Sequence, residues 1–287
     1  MSLLEGSRIS EILELVKKAK EQFESEDSLI EISNVKKAVF VGDTHGADFI
    51  TRAVLEVHKD ADVIVFIGDF VDRGPNGIEN LELLLKEHLE NPKRVILLRG
   101  NHESPLTNYY YGFVNEVKRK MGQEEYYEEF KNMFAVMPYA ALFDGGPDDK
   151  YLVVHGGIAR DLKKVEEIKT LPRPDVNPDN AIAFELLWND PREELDGFVP
   201  NIRGDGTFFY GKDVTKKFLE ENGLKGIIRG HEVADGWRVD VIDDQRDMKV
   251  ITVFSSAYHG MRAGALVWDG EKKSFIYDYV SYDRITP

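Results

Sequence analysis

The chain has 287 residues, is 42% hydrophobic and 31% charged, and carries a formal net charge of −15 with no cysteine. That length allows one large α/β domain or two small ones, and the composition is that of a globular chain. Disulfides, thiolate metal sites and cysteine nucleophiles are excluded, and the negative charge argues against nucleic acid as a partner.

The opening residues 1–6 lack a basic stretch followed by an apolar core, so no signal peptide is expected. Ile9, Ile12, Leu13, Val16, Ala19 and Phe23 recur at helical spacing and predict an amphipathic leading helix with Ser7 as its N-cap. From about residue 37 short apolar runs alternate with helical patterns. The run 38–41 precedes a helix carrying Phe49, Ile50, Ala53, Val54 and Val57. The run 63–67 precedes a helix with Ile78, Leu81, Leu84, Leu85 and Leu89, stopped by Asn91-Pro92, and the run 95–98 follows. This β-α-β-α-β order predicts a largely parallel sheet with helices packed on it. Residues 107–135 read as mostly helical, 171–180 as an irregular Pro/Asp/Asn-rich loop, and the last third as strands at 151–154, 226–228, 250–254, 265–268 and 274–280. No run is long enough for a membrane span, no linker or repeat is visible, and the expectation is one domain, 1–287, located in the cytoplasm.

Five of the apolar runs end alike. Gly42-Asp43-Thr44-His45-Gly46 follows the first and Gly68-Asp69-Phe70-Val71-Asp72-Arg73-Gly74 the second. Gly100-Asn101-His102-Glu103, His155-Gly156-Gly157 and Gly230-His231-Glu232 follow the others. Sites in α/β folds gather outside the carboxyl ends of strands, where glycine lets the backbone turn sharply. One Gly-Asp is usually a turn, and one strand-end histidine is usually a satisfied structural residue. Five such ends with compatible side chains point to a two-cation centre. Without cysteine, its ligands come from Asp43, His45, Asp69, Asn101, His155 and His231, which suits manganese, iron or zinc. Asp69 is the natural bridging carboxylate. Two metals clamp an in-line phosphoryl displacement and activate water, so no protein nucleophile is required.

Arg73 lies on the Asp69 loop and Arg203 in Asn201-Ile202-Arg203-Gly204; both guanidinium groups suit a phosphate. His102 follows Asn101 directly and could protonate a leaving alkoxide, with Asp72 orienting its ring. His58 and His88 read as ordinary exposed or helix-end residues. Tyr109, Tyr110, Tyr111 and Phe113 read as core and groove wall rather than a platform for bases.

These motifs resemble the calcineurin-like metallophosphoesterases and, within them, the phosphoprotein phosphatase family of serine/threonine phosphatases. The narrower resemblance lies between the metal motifs. Asn108 to Phe113 is similar to the family's NRxYGF, Met137-Pro138-Tyr139-Ala140-Ala141 to LPxAA, and Leu186 to Pro191 to LLWSDP. Asn201 to Gly204 is similar to NxRG, and Phe254-Ser255-Ser256-Ala257-Tyr258 to FSAxxY. The match runs from about residue 37 to 270. It implies an α/β fold with a central β-sandwich flanked by helices and the site at one edge. It implies metal ligands at the six residues above, with Arg73, Asn101, His102, Arg203 and Tyr258 at the phosphate. It implies His102 and Asp72 as the acid pair. The implied reaction is hydrolysis of phosphoserine and phosphothreonine esters by a hydroxide held between two divalent transition metals, with phosphoproteins as substrates.

Three departures stand out. Tyr109 replaces the arginine of NRxYGF, the 254–260 segment is one residue short, and His259 stands where many members have a cysteine. The end at Ile285-Thr286-Pro287 suggests a bare catalytic core without a regulatory tail, closer to stand-alone prokaryotic members, and a monomer. The enzyme alternative is a nucleotide pyrophosphohydrolase acting on diadenosine tetraphosphate. A phosphodiesterase or nuclease lacks a phosphate-backbone track here, and a catalytically dead binding module would have lost a ligand position.

Overall fold

The computed structural model describes residues 3–282; the chain end at Ile285, Thr286 and Pro287 lies outside the described residues. The chain begins with α1 (Gly6–Ser25), β1 (Leu29–Ser33), β2 (Lys37–Val41), α2 (Asp48–Val57), β3 (Val63–Phe66), α3 (Gly77–Glu90) and β4 (Val95–Leu97). Three helices follow, α4 (Pro105–Tyr111), α5 (Phe113–Met121) and α6 (Tyr127–Phe134), then β5 (Ala140–Asp144), β6 (Lys150–Val154) and α7 (Ala181–Trp188). The last part holds β7 (Asp190–Arg192), β8 (Phe198–Pro200), β9 (Phe208–Gly211), α8 (Lys212–Glu221) and β10 (Gly226–Arg229). It closes with β11 (Trp237–Asp243), β12 (Met248–Val253), β13 (Gly264–Asp269) and β14 (Ser274–Tyr279).

Two mixed sheets face each other. One has the order β1-β5-β6-β10-β12-β11 and the other β14-β13-β2-β3-β4; a small third sheet, β7-β9-β8, stands apart. Only β2-β3-β4 is the parallel run that the alternating pattern predicts, because β13 and β14 return antiparallel on its edge. The five motif-bearing strands are thus divided, β2, β3 and β4 in one sheet and β6 and β10 in the other.

The near-continuous apolar runs are explained by burial on both faces. Along β2 and β3, Ala38, Phe40, Val63, Val65 and Ile67 point into the sandwich, toward Phe143, Tyr151, Ile228 and Trp268. The alternate residues Val39, Val41, Ile64 and Phe66 point outward, into a helical layer that includes Ile12, Val16 and Phe23 of α1. On the far face Leu152, Val154, Ile227 and Val250 pack with Ala183, Leu186 and Leu219 of α7 and α8.

Helix α1 forms as its spacing predicts, but Glu5 is the N-cap and makes no side-chain cap bond; Ser7 lies inside the first turn. Strand β1 is not anticipated by the sequence pattern. It is an edge strand of five residues that pairs in parallel with β5, 111 positions later at Leu29↔Ala140. His58 and His88 stand at the ends of α2 and α3, and both are buried, at 7% and 1% accessibility. Of the aromatic run only Phe113 is core; Tyr109, Tyr110 and Tyr111 are exposed.

Candidate functional site

Asp43, His45, Asp69, Asn101, His155 and His231 converge at the carboxyl ends of β2, β3, β4, β6 and β10, and all six are buried. They meet at one edge of the sandwich because the two sheets present their strand ends to the same spot. The turns that bring them there are tight. Gly68 has φ +92, and a Cβ built on it would lie 2.4 Å from Gly100 N, so the second and third motifs pack backbone to backbone. Of the eight non-glycine residues with positive φ among the described residues, His45, Asp69, Asp72, Arg73 and His231 belong to this site. Backbone held in this sparsely populated region costs about 1–3 kcal/mol per residue and persists only where the surroundings over-determine it.

Each histidine of the cluster has one nitrogen on a backbone carbonyl. His45 Nδ1 donates to Val71 O at 2.8 Å, His155 Nδ1 to Ile67 O at 2.7 Å and His231 Nε2 to Trp188 O at 3.0 Å. The opposite nitrogen of each ring is then a lone pair aimed inward, the arrangement that orients metal-binding imidazoles. His45 Nε2 lies 3.6 Å from an oxygen of Asp43 and of Asp69, and His155 Nε2 lies 3.2 Å from Asp69 Oδ2. One end of the Asn101 amide faces four acceptors: His155 Nε2 at 2.9 Å, His231 Nδ1 at 3.0 Å and both Asp69 oxygens at 3.2 Å. With its nitrogen turned inward it donates to them; with its oxygen inward, only acceptors face one another, and a cation is what stabilises that set. Two groups offer ligand atoms within 4.8 Å of one another, His45 with Asp69 and His102, and Asp69 with His155 and His231. Asp69 is common to both. The donor set fits hard or borderline cations, and these residues would hold two of them.

The charges of the cluster balance one another across the ring of carboxylates and imidazoles. Burial works against a charged His45, but the Asp43 hydrogen bond and the charges of Asp69 and Asp43 raise it to about 9. Burial likewise opposes, and Asp69 then overcomes, at His155, also raised to about 9. At His231 burial wins, helped by the charges of Arg203 and His155, and holds the ring well below its ordinary value. The Asp69 carboxyl, which burial alone would raise, is held far below the usual range by His155, His102 and His45.

His102 stands beside this cluster. Its Nδ1 lies 2.7 Å from Asp72 Oδ2, and Asp72 is fixed further by the Asn108 amide at 2.9 Å and by the Phe113 N–H at 2.9 Å. Asn108 also donates to His102 O at 2.7 Å and accepts from the Tyr127 hydroxyl at 2.8 Å. His102 and Asp72 thus lie within hydrogen-bond distance, and the His102 side chain lines the cavity.

A cavity of about 200 Å³ opens over these groups, lined by Asp43, His45, Asp69, Arg73, His102, Arg203 and His231, with His259 and Phe254 on one wall. Arg73 lies 4.7 Å over the Tyr111 ring. Arg203 is tied down by Asp190 and by His231 O at 3.2 Å. Tyr258 is placed otherwise than the resemblance implies. It does not line the cavity; it packs edge-on against Phe49 and close to Gly74, while His259, next along the shortened loop, takes the wall.

Several residues of the site carry no role in the sequence pattern. Glu103 is fully buried and accepts the N–H groups of Asp69, Phe70 and Gly100, each at 2.8 Å, so one carboxylate locks two motifs together. Burial and the Asp69 charge push it up to about 7. Arg229, also fully buried, donates to Asp190 at 2.7 Å and to Glu232 at 2.8 Å. The one signal in the sequence is a charged residue directly attached to a buried strand end, which must find a partner there.

The calcineurin-like phosphoesterase family model matches residues 36–235, and the chain belongs to that family. A protein phosphatase 2A catalytic subunit of Dictyostelium discoideum is 36% identical over 262 residues, covering 89% of this chain and 79% of that protein. Within the family, the chain accordingly groups with the serine/threonine protein phosphatases. A Saccharomyces cerevisiae protein serine/threonine phosphatase with similarity to human phosphatase PP5 superposes with a TM-score of 0.83 at 29% identity, covering 95% of this chain and 90% of that one. A cold-active protein-tyrosine phosphatase of a Shewanella species shares the fold alone, with a TM-score of 0.59 at 18% identity, over 88% of this chain and 84% of that one.

Proposed function

We propose that the protein hydrolyses phosphoserine and phosphothreonine esters of proteins, with Asp43, His45, Asp69, Asn101, His155 and His231 holding two divalent transition metals. The observation that carries this reading is His102 on buried Asp72, set beside a buried Asp/His/Asn cluster centred on Asp69. Manganese is the first expectation, with iron or zinc as alternatives. Bound metals would supply water activation and neutralise phosphoryl charge.

The chain's own residues do the rest. Arg73 and Arg203 grip the outer phosphoryl oxygens, Arg203 through the end of its guanidinium that Asp190 and His231 O leave free. Asn101 and the His102 ring approach the same phosphate. Asp72 holds His102 by Nδ1, so that Nε2 carries the proton that passes to the departing serine or threonine oxygen. Tyr258, packed on Phe49, belongs to the rim.

The whole of residues 1–287 is read as one catalytic domain with its leading helix packed on it, monomeric and cytoplasmic, and the described residues include no helix long and apolar enough to cross a membrane. The narrower idea of a prokaryotic-type bare core gains no support from the Dictyostelium and Saccharomyces relatives. The test is phosphate release with Mn²⁺ or with chelator, from a phosphothreonine peptide and diadenosine tetraphosphate in parallel. Mn²⁺-dependent release from the peptide, with the dinucleotide intact, is expected. Cleavage of the dinucleotide with an inert peptide would move the function to nucleotide hydrolysis.

A further inference from the structure

His259 lines the cavity yet has no part in the mechanism above. It sits on the loop after β12, its ring 5.6 Å from that of His45 and edge-on to Phe254 at 5.2 Å. Its Nδ1 lies 3.0 Å from Ser256 Oγ. That hydroxyl already accepts the Tyr258 N–H at 3.3 Å, so its own proton is free to go to His259 Nδ1. The neutral ring then carries its N–H at Nε2, and Nε2 has no protein partner among the described residues. The cavity's two guanidinium groups, Arg73 and Arg203, come from the loop after β3 and the 201–204 loop, while His259 comes from a third segment of the lining.

On the phosphatase reading above, we infer that His259 is a substrate-binding residue: its Nε2–H donates to an outer oxygen of the bound phosphoryl group, completing with Arg73 and Arg203 a three-sided anion cradle, and Ser256 sets the tautomer that makes this possible. The interaction is made with free phosphate and with the ester alike. Its loss therefore weakens binding of substrate and product together and leaves kcat nearly unchanged.

The experiment measures inorganic phosphate binding to the Mn²⁺-loaded protein by titration calorimetry, together with KM and kcat on a phosphothreonine peptide. A hydrogen bond to a charged group is worth roughly tenfold or more in affinity. His259→Ala is expected to raise the phosphate Kd and the peptide KM by about tenfold, with metal content and kcat within about twofold of the parent. His259→Gln, which can present an amide N–H near the same place, should recover most of that loss. A phosphate Kd unchanged in His259→Ala overturns the inference. So does an equal loss in the Ala and Gln variants accompanied by metal loss, which would make His259 a packing residue. Failure of the parent protein to dephosphorylate the peptide is a separate result: it sinks the phosphatase reading, whereas the calorimetric comparison still decides whether His259 contacts phosphate.

Discussion

The half of the cavity carried by β2, β3 and β4 and the half carried by β6, β10 and the segment around Asp190 to Arg203 are held by different forces. In the first, backbone meets backbone. Thr44 and His45 N–H groups reach Asp69 O at 3.1 and 2.9 Å, Gly46 N–H reaches Phe70 O at 2.9 Å, and Glu103 collects three more N–H groups. In the second, side-chain charge does the fixing. Arg229 spans Asp190 and Glu232, Asp190 holds Arg203, and Glu232 also takes Arg192 at 2.7 Å and Arg238 at 2.8 Å. The first half joins three strand-end turns of one sheet, where backbone hydrogen bonds between neighbouring turns fix geometry. The second joins residues 189–203 to 229–238 across two sheets, and a buried ion network supplies the registry that short turns cannot.

The largest expected effect breaks the first half at its chemistry. His102→Ala should lower turnover on a phosphothreonine peptide by about 10²–10⁴-fold with metals retained. An activated aryl phosphate, whose leaving group needs no proton, should lose far less. Steady-state kinetics on both substrates decide the matter, and equal losses would argue against the acid role of His102.

Next comes the second half. Arg229→Ala leaves Asp190 and Glu232 as buried charges without their shared partner, and removing one member of such a network costs about 3–5 kcal/mol. Chemical denaturation should show this loss, and KM for the peptide should rise as Arg203 loses the fixed position of Asp190. A variant as stable as the parent would show that the network is not what holds this half. The contrast also separates what is legible in the sequence from what is not. Every residue proposed as a metal ligand lies just past a strand and within two residues of a glycine, so local pattern suffices to find it. Asp190 and Arg229 become partners only through a contact 39 residues long in sequence, which no periodicity reveals. The same limit hides β1, whose partner β5 is remote, and makes the parallel pattern of β2-β3-β4 look as if it extends over a sheet that is mixed. Tyr258 packs on Phe49 and beside Gly74, a placement that the loop's sequence pattern does not reveal.

A smaller effect distinguishes the cation site from ordinary histidine burial. In metal-free protein His45 and His155 are raised to about 9, above the unfolded value near 6.5. A raised folded value stabilises fully below about pH 6.5, and that contribution is lost as pH rises through about 9. Chelated protein should therefore show a melting temperature that falls between pH 6.5 and 9. Mn²⁺-loaded protein should not, because cations then take the place of those protons. Parallel slopes with and without Mn²⁺ would mean that metal does not bind at these rings.

The smallest effect uses His58, a histidine outside both halves. It caps the end of α2 and is buried at 7% accessibility with Nδ1 unpaired. Burial, and then the charge of Lys37, lower its protonation below the ordinary value. The sign is opposite to that of the site histidines. Above about pH 6.5 the ring is neutral in both folded and unfolded chains and contributes nothing. As pH falls below 6.5 the unfolded chain takes up the proton first, so folded stability declines. His58→Leu removes the titrating group while filling much the same volume, and should flatten the melting-temperature slope between about pH 6.5 and 5. The flattening should be equal in chelated and Mn²⁺-loaded protein, since His58 lies outside the cavity. A change seen only after chelation would assign the acid-side slope to the cation site instead, and would make the contrast between these histidines one of degree rather than of sign.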